Sequence, residues 1–564
     1  MSQSAPHEWA ARIDCAERAG DTERAILLSE QAVAEHPHCA DLRNLGGNLR
    51  LRQGDVSGAA EWFGAAARLD PARLDLAVNA AIALSRQGRH NASRAMLVPH
   101  ENEGRRSAVY CSARGTAERG AGRLGDAAVW YDRALAIEPT RSKALHGAAR
   151  VALERGQSDA AIRFDRALSV DPGSLELWLG KAQALDAQHA KDSAYAIAEQ
   201  LAVKAPQFID GLRFHAQLRS DRGDASYDQT FDAAARAVPD DPRIPAAHIS
   251  LLTSVERYAD AAEVAARSRQ AFGDGQFALL EATCRDAAGQ YDEARALLDH
   301  LDLPPADIAV ERARHALRTH AIDEALSQLD IILERAPWDQ QAWALRLVCW
   351  RLVEDRRIGW LTGGGALARP ILLPDADTVV GPAAVLLDDL HDVSPFPLGQ
   401  SLRGGTQTRG NLFERTEKAL GDLEQAIYSA LANYRADLPP TDPTHPLLRH
   451  RDASWTISGS WSVRLRGGGN HHASHIHPGG VLSSALYLRV PAGSESAELH
   501  AGWLELGRPP ANLNVTLEPL AMIEPRPGML ALFPSFLFHG TRPFAQGSRM
   551  SVAFDVSADA GSEG

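Results

Sequence analysis

Cysteine is scarce in this chain of 564 residues: there are five, Cys15, Cys39, Cys111, Cys284 and Cys349, and none beyond. Scattered thiols without paired spacing exclude a disulfide framework and suit a reducing, cytoplasmic setting. All five are expected as small buried apolar residues. Long apolar runs are missing too, since none reaches the ~18 residues a membrane span needs. The start, MSQSAPHEWAARIDCAERAG, lacks the basic-then-apolar order of a secretory signal. Positive charge is in deficit, with 59 Lys and Arg against 72 Asp and Glu, a formal charge of −13. That balance argues against a general binder of nucleic acid or of anionic membranes. Apolar residues make up 45%, enough for several packed domains.

What is abundant in the first 350 residues is Ala, Leu, Arg and Glu, and the pattern repeats. Glycine recurs at Gly20, Gly54, Gly88, Gly122 and Gly156, every 34 residues. The phase continues at Ala190, Gly223, Glu256, Gly289 and His320. Pro37, Pro71, Pro139, Pro172, Pro206, Pro239 and Pro337 keep the same beat, each after an Ala-rich amphipathic stretch. One helix should end near the glycine, where a small residue permits either tight packing or a left-handed turn. A second helix should end at the proline. One such hairpin cannot bury its apolar face alone, so the units must stack. Gly/Ala, Tyr/Phe, Ala and Pro at this period resemble the tetratricopeptide repeat, over roughly residues 10–350 in about ten units. The resemblance implies an all-α superhelical solenoid whose concave face binds a protein or peptide. Solenoids also serve as spacers or dimerisation arms, so a homo-oligomer stays open. The helix over Trp338–Val353 is expected to cap the array, and Trp62, Trp130, Tyr131 and Trp178 to pack between helices.

Composition changes after residue 360. The stretch GGGALARPILLPDADTVVGP is dense in Gly and Pro and has no helical period. The expected layout is a repeat array over 1–355, a linker over 356–375 and a second domain over 376–564 with its core at 455–556. One amphipathic helix is expected near Arg409–Tyr434. The rest reads as strands in SWTISGSWSVRLRG, VLSSALYLRVP, AELHAGWLELG, GMLALFPSFLFHG and RMSVAFDV, which indicates an all-β sandwich or barrel.

That domain holds NHHASHIHPGG, with His471, His472, His475 and His477, and a later FPSFLFHGTRPFAQGSRMSVAF, with His539, Arg549 and Ser551. Residues two apart on a strand point the same way, so His475 and His477 can converge. His539 would complete a facial set with open positions, as non-heme iron(II) oxygenases need. Here the segment resembles the Fe(II)/2-oxoglutarate-dependent oxygenase superfamily, in its branch related to prolyl hydroxylases. HIHPGGVLSSALYL stands where that family has H-x-D before its strand, Gly528–Ser535 precedes the distal His539, and Arg549-Met550-Ser551 stands at the R-x-S. SLRGGTQT, residues 401–408, is similar to the same branch. The resemblance implies a double-stranded β-helix (jelly-roll, cupin-like), Fe(II) on His475, His477 and His539, and O2 and 2-oxoglutarate as co-substrates. Arg549 would grip the far carboxylate of 2-oxoglutarate, with Ser551 and Tyr487 adding hydroxyl bonds.

The departure is His477, where the family carries Asp. Either three imidazoles hold the metal, or His477 stays off it and another group completes the shell. His471 and His472 are expected outside the ligand set. Trp461 and Trp503 read as barrel core, and Arg464 and Arg466 as a salt bridge or a contact to a substrate carboxylate. Three functions stand open. The first is a dioxygenase hydroxylating a polypeptide recruited by the repeats. The second is a hydroxylase of a small amino-acid-like substrate, and the third a repeat scaffold with a degenerate oxygenase domain.

Overall fold

The computed structural model describes residues 5–273, 275–491 and 500–559. Two compact units divide it, Met1–Leu185 and Asp186–Gly564. The division falls inside the helical repeats, not at the change of composition near 355–375.

The first unit is built from antiparallel helix pairs such as Thr22–Glu35 with Ala40–Arg52 and Leu124–Ile137 with Ser142–Glu154. Between one such pair and the next, Gly20, Gly54, Gly88, Gly122 and Gly156 adopt φ of 66° to 83°. A Cβ on Gly20, Gly54, Gly88 or Gly122 would meet nothing within 4 Å. The left-handed turn, and not close packing, therefore selects glycine there. Other glycines serve the packing: a Cβ on Gly147 would fall 2.1 Å from the Tyr131 ring. Trp130 and Tyr131 are buried, in line with a structural role.

In the second unit the same turn recurs at His189 (φ 67°), Gly223, Glu256 (62°), Gly289 and His320 (60°). The turn residue after Gly156 is thus His189, one place before Ala190. The helix Gln340–Leu352, expected to cap the array, packs against the sheets. Trp343, Leu347 and Trp350 share one hydrophobic core with Ala485, Tyr487, Phe533, Phe536 and Phe538 of the sheets. Polar clamps reinforce the join: Arg318 donates to the Asn512 carbonyl at 2.7 Å, and Asn514 donates to the Arg318 carbonyl at 2.9 Å.

Eleven strands follow among the described residues: β1 Arg369–Leu372, β2 Leu402–Arg403, β3 Thr406–Gln407, β4 Ser454–Arg466, β5 His471–His472, β6 Leu482–Arg489, β7 Leu504–Leu506, β8 Ala521–Ile523, β9 Met529–Pro534, β10 His539–Thr541 and β11 Ser548–Asp559. They form antiparallel sheets of six strands (β1-β9-β6-β11-β4-β3), three (β10-β7-β8) and two (β2-β5). The stretch expected as a linker over 356–375 carries the helix Arg357–Thr362 and the edge strand β1, paired with β9. Of the strand expected in AELHAGWLELG, residues 497–499 lie outside the described residues, and β7 is its end.

The domain is not all-β. One face of the large sheet, with Leu486, Leu532, Met550, Val552 and Phe554, packs on the helices Ala376–Asp392 and Lys418–Ala436. The opposite face of β11 therefore presents Arg549, Ser551 and Asp555, because alternate residues point to opposite sides. Cys111, Cys284 and Cys349 are buried, but Cys15 is exposed and Cys39 half-buried, so burial does not account for all five. Among the described residues, no helix is long and apolar enough to cross a membrane.

Candidate metal centre

His475, His477 and His539 come together, each offering one ring nitrogen, with all three atoms within 4.8 Å of one another. The segment carrying His475 and His477 is not a regular strand. A single bridge joins it to β10: the His475 N–H donates to the His539 carbonyl at 3.0 Å and the reverse bond is 2.9 Å. That one extended contact is enough to aim both imidazoles at His539.

The ring hydrogen bonds fix which nitrogen faces inward. His475 Nδ1 lies 2.8 Å from the Ala473 carbonyl and His539 Nδ1 3.0 Å from the Leu537 carbonyl. His477 Nδ1 lies 2.5 Å from a carboxylate oxygen of Asp555. Each acceptor demands a proton on Nδ1, which leaves Nε2 bare in a neutral ring. Yet His475 Nε2 and His477 Nε2 approach to 3.0 Å. Two lone pairs at that distance repel unless a proton or a metal cation lies between them. Imidazole nitrogens bound at roughly 2.1 Å and at right angles to one metal would sit about 3 Å apart. The donor set fits a metal ion. Burial, with the neighbouring His477, pushes the His475 pKa down to about 3, and burial holds His539 far below the usual histidine range. Both are therefore neutral, as ligands must be.

Asp555 was missed in the sequence, although it follows the alternation of Arg549 and Ser551 along β11. Ser483 also bonds its carboxylate, at 3.2 Å. Ser401, at the head of SLRGGTQT, contacts both His475 Nε2 and His472 Nδ1 at 3.2 Å. Pairing of β2 with β5 puts it there. His472 is stacked on His475 with ring centroids 5.9 Å apart, outside the trio, and His471 turns to the Gly469 carbonyl.

Arg549 is only 2% exposed, and its guanidinium carbon lies 4.9 Å from the Tyr487 ring centre. Among the described residues it has no carboxylate partner, and its Nε and the Tyr487 hydroxyl are both buried without a hydrogen bond. A buried unpaired cation is costly and calls for an anion. Ser551, buried and opposite Tyr487 in the sheet, shares the face of Arg549. Arg464 instead pairs with Asp392 at 2.7 Å as a salt bridge, and the exposed Arg466 lies 4.0 Å from the same carboxylate. Trp461 packs beside Val463 and Phe544, its ring 5.5 Å from that of His477. A cavity of about 1370 Å³ opens beside the histidines, lined by His472, His475 and Gly540 and, from the repeats, Tyr258 and Arg318.

Comparison with known proteins agrees with this division of labour. Residues 459–555 match the family described as "Putative 2OG-Fe(II) oxygenase". Residues 11–73 and 146–207 match the tetratricopeptide repeat. The chain thus joins a tetratricopeptide region to an oxygenase-type domain. Among curated proteins, none matches. Similar solved structures are repeat proteins. One, a tetratricopeptide repeat protein from Parabacteroides merdae, is 17% identical with a TM-score of 0.33, over 43% of this chain and 97% of that one. Another, a thermophilic protein from Thermus thermophilus, is 24% identical with a TM-score of 0.27, over 32% and 99%.

Proposed function

We propose that the protein is an Fe(II)- and 2-oxoglutarate-dependent dioxygenase that hydroxylates a protein or peptide recruited by its repeats. In this reading residues 376–564 form the double-stranded β-helix domain of that superfamily, and the free thiols suit a reducing cytoplasm. The observation that carries the reading is the convergence of three imidazole nitrogens within 4.8 Å of one another, with the Nε2 atoms of His475 and His477 3.0 Å apart. His475, His477 and His539 would hold the iron, and Arg549, with Ser551 and Tyr487, the far carboxylate of 2-oxoglutarate. When bound, iron and 2-oxoglutarate supply the oxidising chemistry: O2 is consumed, 2-oxoglutarate leaves as succinate and CO2, and a substrate C–H bond gains a hydroxyl. The protein's own part is to fix the tautomers and to shield the site. The Ala473 and Leu537 carbonyls and Asp555 keep the Nδ1 protons outward. Phe533, whose ring centre is 4.7 Å from that of His539, walls the site with apolar surface.

Two measurements test the reading. The parent should take up about one Fe(II) per chain under anaerobic titration, and His539→Ala should abolish that uptake. Arg549→Ala should raise the 2-oxoglutarate concentration needed for succinate release about 30-fold or more, with iron affinity little changed. Unchanged iron uptake in the first variant, or an unchanged 2-oxoglutarate requirement in the second, removes that residue from the site.

A further inference from the structure

We infer that Ser401 is a further residue of the histidine site, one that gives its hydroxyl proton to a small ligand held beside His475, and that Gln217 of a repeat helix positions it. The role of Ser401 rests on the dioxygenase reading in so far as the three imidazoles hold a metal.

Ser401 Oγ lies 3.2 Å from His475 Nε2, the nitrogen that faces His477, and 3.2 Å from His472 Nδ1. His475 keeps its ring proton on Nδ1, against the Ala473 carbonyl, so the hydroxyl is the donor to Nε2. A metal on Nε2 would take that lone pair, and the one hydroxyl proton must then pass to another acceptor. His472 Nδ1 is one candidate. An anionic ligand on the metal is the stronger, because a charge-assisted bond is roughly twice as strong as one between neutral groups. Two groups bound at roughly 2.1 Å and at right angles to one metal stand about 3 Å apart, so a ligand next to His475 enters the space that Ser401 borders.

The chain before Ser401 is fastened to the repeats. The Gln217 side chain, on the helix Ile209–Asp221, donates to the Phe396 carbonyl and accepts from the Leu398 N–H, both at 2.8 Å. The amide nitrogen also donates to Asp221 at 2.8 Å, so both ends of the amide are engaged and its orientation is fixed. Gly399, at φ 80°, passes so near the helix Arg243–Ser254 that a Cβ there would lie 3.0 Å from the Ser254 hydroxyl. Residues 394–400 form neither helix nor strand, so these contacts carry their order. The chain after Ser401 belongs to the sheets. The Ser401 carbonyl accepts from the Ala473 N–H at 2.9 Å, and Leu402 pairs with His472 and is wholly buried. Strand pairing thus brings the segment to the histidines. The clasp at Gln217 fixes the direction from which it arrives, and with it where the hydroxyl points.

The test uses full-length protein loaded with Co(II), whose visible absorption reports its ligands, and azide as the small anionic probe. Ser401→Ala should weaken azide binding about tenfold or more, as expected for one hydrogen bond to a charged group, while Co(II) affinity changes less. Ser401→Thr keeps the hydroxyl and should stay close to the parent. Gln217→Ala should weaken azide about threefold or more in the parent and have no effect in the Ser401→Ala background, because a positioning residue acts only through the group it positions. Unchanged azide affinity in Ser401→Ala, or equal losses in Ser401→Ala and Ser401→Thr, overturns the role of Ser401. A Gln217→Ala effect that simply adds to that of Ser401→Ala makes the clasp structural and overturns the positioning. Normal Co(II) uptake with either of these failures counts against Ser401 or Gln217 alone and leaves the dioxygenase reading standing. If the parent takes up no Co(II), or takes it up equally after His539→Ala, the metal reading fails and the role of Ser401 with it.

Discussion

Removing the Asp555 carboxylate tests the idea that this site keeps one negative charge a layer further out than usual. A two-histidine, one-carboxylate set places the carboxylate on the metal. In the proposed site His477 takes that place, and Asp555 sits 2.5 Å behind its Nδ1. Both side chains are mostly buried, 15% and 20% exposed, so water replaces the lost contact poorly. Partners that orient a metal-bound histidine typically contribute 10- to 100-fold in metal affinity, about 1.4–2.7 kcal/mol. Asp555→Ala should show the full loss, because the His477 ring then has neither its orienting acceptor nor the nearby charge. Asp555→Asn retains an acceptor oxygen and should fall between that variant and the parent. His477→Asp combined with Asp555→Asn restores one carboxylate in all, and should bind metal more tightly than His477→Ala. Anaerobic calorimetric titration with Fe(II), and with Co(II) in parallel, gives each affinity, and thermal melting of the metal-free variants checks their fold. Parental affinity in Asp555→Ala would refute the reasoning. Parental affinity in His477→Ala as well would make His477 a bystander.

Acidification should destabilise the metal-free protein. An unfolded chain protonates His475 below about 6.5, whereas the folded site resists until about 3, so stability is complete above the upper value and declines as pH falls between the two. One such histidine costs about 2 kcal/mol at pH 5. Melting temperatures from pH 7.5 down to 5 should fall less steeply for His475→Gln than for the parent, and equal slopes would count against the assignment. At a repeat turn, His320→Gly should raise stability by up to about 1 kcal/mol, because His320 is exposed yet held at φ 60°. Chemical denaturation measures this, and no gain would mean that the imidazole makes up for the strain.

The repeats were legible because each needs the same left-handed turn, and glycine marks most of these positive-φ positions. The marker failed at His189, Glu256 and His320, where other side chains accept the strain and only the period remained to be read. The histidine trio was legible from side-chain parity and from the order of the motif, even though its first half is a single bridge and not a strand. Less could be read where local signals conflict. The helix Ala376–Asp392 contains Gly381 and Pro382, which hid its periodicity. Strands β2, β3, β5 and β8 are two or three residues long, too short to show alternation. Ser401 reaches the site only through the pairing of β2 with β5, a long-range contact that no local pattern encodes. Asp555 could have been found by extending the alternation of Arg549 and Ser551 two steps further. The shared core of Trp343 and Trp350 with Phe533 and Phe536 could not, since each set looks self-sufficient in its own segment.

That shared core makes the last repeat helices and the sheets one thermodynamic entity. The repeat helices from Pro305 to Leu352 and the sheets bearing the histidines bury a single continuous body of side chains, so neither can melt and leave the other intact. Heat absorbed by these elements should come as one cooperative event, with the histidine trio lost at the same temperature as the last repeats. Inherited or engineered damage to a repeat helix such as Pro305–Arg318 would therefore appear as a shortened lifetime of the histidine site, although that helix supplies none of its three imidazoles.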